Sequence, residues 1–152
     1  MGNKVSLDSV DREILFHLRQ DGRLTNVELA KRVGLTPPPC LRRVKRLEDA
    51  GIITGYRARV DLAATGRGFE VIVTAEIKVN DRETVDELEA LLRSYDEVVE
   101  CRRLFGRPDY LMRVLVEDSQ AYEKFLVEKV MSLPPIARVD SHLTMREVKS
   151  ED

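Results

Sequence analysis

A regular spacing of apolar residues marks the start of the chain as helical. Val10, Ile14 and Leu18 recur at every fourth position, the spacing of one face of an α-helix. Asp11 falls outside this apolar stripe. The pattern therefore predicts an amphipathic first helix over residues 8 to 20.

Two further helices are predicted, separated by a glycine turn. Residues 25 to 28, Thr-Asn-Val-Glu, have the form of a capping box, in which the Thr hydroxyl accepts from a backbone N–H and the Glu reaches back. The helix after this box stops at Gly34, and the pair of helices makes a helix-turn-helix. Thr36 is expected to cap the third helix, and Pro37 occupies its first position, where a missing N–H is harmless. The apolar positions assigned to the buried side of the third helix are Cys40, Leu41, Val44 and Leu47.

The other side of the third helix is basic. At 100° per residue, Arg42 and Arg46 lie opposite the apolar side, with Arg43 and Lys45 on its flanks. No acidic residue precedes Glu48 in this helix to compensate them. Because the second helix of a helix-turn-helix enters the major groove, where Arg pairs with guanine, this side is a candidate surface for double-stranded DNA.

The candidate contacts with DNA fall into three groups. The start of the third helix and its first two arginines are expected at base edges, and the later basic residues at phosphates. The backbone N–H groups at the start of the second helix offer a further phosphate-binding site. The candidates are Thr25, Asn26, Thr36, Pro38, Pro39, Arg42, Arg43, Lys45 and Arg46. The alternative is a solvated face that pairs with Glu48 and Asp49; the combination of capping box, glycine turn and proline-started helix favours DNA.

From residue 69 onward, the chain alternates strand and helix patterns. Apolar and polar residues alternate over residues 69 to 79, as in a half-buried strand, and residues 106 to 109 have the composition of a turn. The other predicted elements are a helix after Asp81, strands over 98 to 105 and 110 to 116, a helix from Asp118 or Ser119 to Pro134, and a strand over 139 to 145. Strand, helix, strand, strand, helix, strand is the ferredoxin-like order. We therefore predict an α+β protein, with a three-helix helix-turn-helix domain and connecting strand over residues 1 to 62 and a βαββαβ domain over residues 63 to 152.

The pattern also predicts a second apolar face on the sheet. Ile72, Leu111 and Leu115 stand opposite the residues that would face the helices. A second copy of the chain is the simplest partner that would bury such a face, which implies a two-fold homodimer. Scattered exposed aliphatic residues are the alternative, since they are normal on surfaces.

Charge is distributed unevenly along the chain. The whole chain carries 25 Lys and Arg against 27 Asp and Glu, a net charge of -2. Residues 1 to 62 hold 12 basic against 8 acidic residues, a net of +4, and the remaining 90 hold 13 against 19, a net of -6. A basic front half is a hint of a nucleic-acid partner.

Several classes of protein are disfavoured. Cys40 and Cys101 lie far apart and both histidines are isolated, so neither a metal site nor a disulfide is expected. No run of apolar residues approaches the length of a membrane span, and no apolar signal segment opens the chain, so we expect a cytoplasmic protein with no membrane partner. Glu100 and Asp109 are the only plausible acid and base, with no catalytic His or Cys beside them and no phosphate loop. We therefore expect no catalytic residues, no cofactor and no enzyme. A ferredoxin-like assembly or small-molecule-processing module without DNA binding is the alternative.

The chain resembles the Lrp/AsnC family, the feast/famine regulators of bacteria and archaea. The resemblance is carried in the front third by Asp11-Arg12-Glu13-Ile14-Leu15, by residues 21 to 37, by residues 40 to 48, by Gly51-Ile52-Ile53 and by Gly55-Tyr56. It continues in Glu100-Cys101, Gly106-x-x-Asp109-Tyr110-Leu111, Ala121-Tyr122, Leu133-Pro134 and Glu147-Val148-Lys149. It implies a transcription factor with an N-terminal DNA-binding domain. Its C-terminal domain, of the RAM type, would bind an amino-acid effector and assemble homodimers into tetramers or octamers.

The resemblance also implies an effector site. In similar proteins the loop around the glycine, between the second and third strands, lines an amino-acid pocket at the contact between dimers. The implied residues are Gly106, Arg107, Asp109, Tyr110, Leu143 and Thr144. Asp109 is assigned to the α-amino group, with a turn bonded to its own backbone as the alternative. Arg107 departs from the acidic residue of many relatives and is assigned to a ligand carboxylate or a neighbouring subunit.

Overall fold

The computed structural model describes residues 6 to 78 and 81 to 149. They form two compact units, one that extends to Arg59 and one from Val60 to Lys149. No helix in these two described ranges is long and apolar enough to cross a membrane.

The first unit consists of the three predicted helices. They are α1 (Ser9–Gln20), α2 (Asn26–Arg32) and α3 (Pro37–Asp49). Their shared core contains Ile14, Leu29, Ala30, Val33, Cys40 and Leu47. The left-handed backbone of Gly34, with φ of 69°, makes the turn between α2 and α3 that the sequence predicted. Residues 56 to 61, predicted as the connecting strand, lie in no strand.

The starts of α2 and α3 are stabilised differently. Thr25 and Glu28 form the predicted capping box of α2, with each side chain bonded to the other residue's backbone N–H. Thr36 occupies the N-cap of α3, but its side chain makes no capping hydrogen bond. The prediction that Thr36 caps α3 is therefore wrong in its chemistry. A cap needs an N–H at the second or third helical position, and in α3 both positions are proline.

The second unit is the predicted βαββαβ domain. Its elements are β1 (Phe69–Ile77), α4 (Arg82–Ser94), β2 (Val98–Arg103), β3 (Tyr110–Val116), α5 (Ser119–Phe125) with a π-helical turn (Leu126–Val130), and β4 (Ile136–Leu143). The antiparallel sheet has the order β2-β3-β1-β4. β2 ends before Leu104 and Phe105, and β4 begins and ends earlier than predicted. Val79, the predicted end of the first strand, lies outside the described residues.

The two faces of this sheet differ in chemistry. On the helix side, Val73 and Met112 are buried in a core that includes Leu88 of α4 and Phe125 of α5. On the other side, Leu115 is buried, and Ile72 and Leu111 are half buried, but charged residues share that face.

Charge pairs cross that second face. Arg113 bonds to Glu70 at 3.1 Å and lies 3.8 Å from Glu100. The register places Glu70 beside Leu115 and Arg113 beside Ile72. The three aliphatic residues therefore lie on this face as predicted, but ion pairs stand among them, so the face is mixed and not uniformly apolar.

The two helix starts predict opposite responses to the same substitution. Thr25→Ala removes a working cap and should lower the free energy of unfolding by about 1 kcal/mol, whereas Thr36→Ala should leave it nearly unchanged. Urea denaturation followed by helical circular dichroism measures both. Equal losses in the two variants would contradict the assignment.

The cap also has a signature in pH. The Thr25 hydroxyl is the largest cause that holds the pKa of Glu28 below its ordinary value, followed by the Thr25 backbone N–H. A carboxylate whose pKa is lower in the folded than in the unfolded state stabilises the fold at pH values above its unfolded-state pKa. This stabilisation is lost as the pH falls through the folded-state pKa. NMR titration of Thr25→Ala should therefore show the pKa of Glu28 raised toward normal.

Candidate nucleic-acid interface

An exposed stripe runs along the outward side of α3. Pro38, Leu41, Arg42 and Lys45 are all exposed and fall within about 100° of arc. Leu41 is 56% exposed, so its predicted place on the buried side is wrong. It lies at the edge of the apolar arc, where Cys40 and Leu47 already fill the core. We call these four residues the outer stripe of α3.

The four basic residues of α3 line one shallow groove, which Asp49 completes. They are not electrostatically equivalent. In the described part of the chain, no ion pair of Arg42 or Lys45 is found, and both side chains are exposed. Arg43 and Arg46 instead turn toward α1. The groove therefore has two basic residues open to a partner and two engaged within the chain.

Arg43 and Arg46 are held by two acidic residues of α1. Arg43 Nη1 donates to Asp8 Oδ2 at 2.7 Å and to Asp11 Oδ1 at 2.9 Å, and Arg46 Nη2 donates to Asp11 Oδ2 at 2.5 Å. The Asp11 side chain is completely buried, and that of Arg43 is 28% exposed. A buried carboxylate needs such partners. No acid precedes Glu48 within α3, as the sequence shows, but α1 supplies the acids that compensate two of its four basic residues.

Asp8 and Asp11 also cap α1. Each side chain accepts the other's backbone N–H in a capping box. The Asp11 N–H is the main reason that the pKa of Asp8 lies below its usual value, with Arg43 second, while hydrogen bonds to Asp8 and then Asp11 raise the pKa of Arg43. Two acidic residues three positions apart at a helix start are a sequence signal for such a box, although the helical spacing predicts Asp11 outside the buried stripe.

The start of α2 is also occupied within the chain. The Thr25 hydroxyl donates to Glu28 Oε2 at 2.7 Å, and Asn26 Nδ2 donates to the carbonyl of Pro37 at 2.8 Å. Asn26 Oδ1 is buried with no hydrogen-bond partner among the described residues. The two side chains predicted beside a phosphate-binding site are therefore engaged within the chain, Thr25 in the cap of α2 and Asn26 in a contact with α3.

The second candidate site is the hairpin between β2 and β3. Gly106 is exposed at φ 117°, a backbone conformation that favours glycine. Arg107 is exposed beside it, with Nη1 3.9 Å from Glu76, and the Arg107–Pro108 peptide bond is cis. Phe105 is fully exposed. These residues form a projecting tip that a ligand or another chain can reach.

Asp109 and Tyr110 are held in the sheet. Asp109 Oδ2 accepts the N–H of Ile77 at 2.9 Å, and the Asp109 N–H donates to the carbonyl of Ala75. The carboxylate is therefore bonded to the neighbouring strand β1, which is neither the turn bonded to its own backbone nor a contact with a ligand. Tyr110 is buried, and its hydroxyl donates to Glu89 at 3.0 Å; burial, then Glu89, raises its pKa to about 12.

Leu143 and Thr144 lie at the far end of the sheet from the hairpin. Leu143 pairs with Val71, whereas the hairpin residue Tyr110 pairs with Ala75. The four residue steps along β1 from Val71 to Ala75 span about 13 Å at ~3.3 Å per residue. Within one chain the predicted effector residues therefore lie in two separate groups, and the site implied at a contact between dimers stays a prediction.

Comparison with known proteins extends over both units. A model of winged helix-turn-helix DNA-binding domains matches residues 7–54, and a model of Lrp/AsnC ligand binding domains matches residues 70–152. The leucine-responsive regulatory protein of Salmonella typhimurium is 38% identical over 146 residues, 96% of this chain and 89% of the relative. That of Rhizobium meliloti is 37% identical over 96% of this chain and 94% of the relative.

Solved structures show the same similarity. A transcriptional regulator from Neisseria meningitidis in complex with L-Met matches with a TM-score of 0.91 and 35% identity, over 95% of this chain and 94% of that one. AsnC of Escherichia coli matches with a TM-score of 0.85 and 26% identity, over 95% of this chain and 96% of that one.

The two kinds of arginine in α3 predict different effects on stability. Arg43→Ala leaves Asp8 and buried Asp11 short of a donor and should lower the free energy of unfolding by about 1 to 3 kcal/mol. Arg42→Ala, its neighbour on the same helix, should change it by less than about 0.5 kcal/mol. Equilibrium urea denaturation compares them, and an unchanged Arg43→Ala would contradict the proposed anchoring.

Proposed function

The chain belongs to the Lrp/AsnC family of DNA-binding transcription regulators, and we propose that an amino acid bound to its C-terminal unit alters how its subunits bind DNA. The main observation that supports DNA binding is the exposed outer stripe of α3. Its basic residues stand exposed on the second helix of a helix-turn-helix, the helix that enters the major groove in such domains.

The basic residues of α3 have separate roles in this proposal. Arg42 reads a base edge, and Lys45 contacts phosphate. Arg43 acts as a positioning residue that fixes α3 on α1 through Asp8 and Asp11. Arg46 is 47% exposed, and Arg has five N–H donors, so it contacts phosphate with donors that Asp11 does not take.

The working assembly is a homodimer that associates into tetramers or octamers. The charged face of the sheet supports this proposal, because Glu70, Arg113 and Glu100 carry both signs and can complement a two-fold copy of themselves. Arg113 Nε is also buried without a hydrogen-bond partner among the described residues. A dimer would place two α3 helices about 34 to 36 Å apart, one turn of duplex DNA.

The effector is an amino acid that contacts the hairpin tip. Arg107 is exposed and supplies a cation for the carboxylate, and Gly106 allows close approach of the backbone. The L-Met complex of the Neisseria relative supports an amino acid as the ligand. Binding at a contact between subunits would change DNA occupancy by linkage.

A catalytic role has no support at the sites described. Asp109 holds the backbone of β1, and Glu100 contacts Arg102 and Arg113. The two carboxylates that sequence reasoning offered as an acid and base are therefore both engaged in holding the sheet. A plain assembly module without DNA binding is the remaining alternative, which the DNA experiment separates.

DNA binding should depend on the outer stripe. In a mobility-shift assay on genomic fragments, Arg42→Ala/Lys45→Ala should weaken binding through the lost base contact of Arg42 and reduce the slope of log affinity against log salt by ~0.9 through the lost phosphate contact of Lys45. Lys78→Ala/Arg82→Ala removes the same charge from exposed positions of the other unit and should leave the slope unchanged. Equal binding by the parent and both variants would contradict the role of the outer stripe, and no binding by any of the three would favour the assembly module.

The effector response should depend on the hairpin tip. With a panel of amino acids, the parent should change its DNA affinity or its assembly state in response to at least one, because the ligand favours one assembly. Arg107→Ala should retain DNA binding without ligand and lose that response. Analytical ultracentrifugation beside the mobility shift measures both, and an unchanged response in Arg107→Ala would contradict the role of this side chain.

A further inference from the structure

The first turn of α3 presents no backbone donors to a partner. Positions 37 to 39 are prolines, which have no N–H, and the next N–H, of Cys40, donates to the carbonyl of Thr36. Helix starts usually leave N–H groups unpaired, and those groups bind phosphates and acceptors on base edges. In α3 this means of recognition is absent.

Apolar surface takes the place of those donors. Pro38 and Leu41 are exposed and lie one turn apart on the outer stripe, directly before Arg42. The carbonyl of Pro37 is tied to Asn26 of α2, which holds this turn in place on the helix-turn-helix. The leading half of the stripe is therefore apolar and its trailing half is basic.

The major groove contains one apolar group that such a surface fits. Thymine presents its C5 methyl there, whereas guanine, adenine and cytosine present only hydrogen-bond acceptors and donors. When an apolar side chain packs against a hydrogen-bond acceptor or donor of a base, that polar group loses its water and gains no new partner, which is unfavourable. Against a methyl group, the same side chain buries apolar surface on both partners.

We propose that Pro38 and Leu41 make α3 selective for thymine methyl groups, next to a guanine read by Arg42. This inference rests on the proposed DNA-binding function. Arg42 and Lys45 on the same stripe complement the phosphates that flank the groove, so duplex DNA is the occupant that this surface fits. The half-site then contains thymine beside guanine.

The test removes single methyl groups from DNA. Duplexes selected by the full chain from a random pool supply the half-site, and each thymine is then replaced in turn by deoxyuridine, which lacks only the C5 methyl. At one or more positions the Kd of the parent should rise about three- to fourfold. In Leu41→Ala the same replacement should change the Kd by less than about 1.5-fold. Leu41 is exposed, and an unchanged circular dichroism spectrum verifies that the variant is folded.

Arg42→Ala is the matched control one residue away. It should keep the response to deoxyuridine and lose the response to 7-deazaguanine, which removes the N7 acceptor that Arg contacts. Deoxyuridine that changes nothing in the parent, or a full response that survives in Leu41→Ala, would overturn the inference and leave DNA binding intact. Loss of dimers in Leu41→Ala with its deoxyuridine response retained would assign Leu41 to a protein contact and also overturn it. If the chain selects no duplex at all, the proposed DNA-binding function is contradicted, and this inference is contradicted with it.

Discussion

The orientation of α3 depends on one buried carboxylate. Asp11 has no exposed surface, and its two oxygens accept hydrogen bonds from Arg43 and Arg46. A buried charge without partners is strongly unfavourable, so α3 is held with these two arginines toward α1. The rotation of the helix about its axis then decides which residues face outward, and the outer stripe is the result. The acid on α1 thereby positions a surface that it does not touch.

The local rules of sequence were sufficient for most of the secondary structure. The capping box at Thr25, the turn at Gly34 and the alternation of β1 each depend on neighbours in the chain, and each was found as predicted. Thr36 shows the limit of such rules, since the cap failed because of the prolines beside it. The sequence alone could have shown this failure, because a capping side chain accepts a hydrogen bond from a backbone N–H and proline has none.

Contacts between distant segments could not be predicted in the same way. Asp11 and Arg43 lie 32 residues apart, and a helical wheel drawn for α3 alone shows four basic residues without showing that two are engaged. The arrangement of the predicted effector residues is a second example: strand register places Leu143 away from the hairpin, and Asp109 is bonded to the N–H of Ile77. Both depend on which elements become neighbours in three dimensions.

We propose that the outer stripe of α3 contacts DNA while Arg43 stays bonded to Asp8 and Asp11 of α1. The most direct measurement is a crystal structure of the full chain bound to a selected duplex. We expect α3 in the major groove, Arg42 within hydrogen-bond distance of a base edge, and the pairs of Arg43 with Asp8 and Asp11 unchanged. A complex in which α3 lies outside the groove, or in which Arg43 leaves Asp11 to contact DNA, would contradict it.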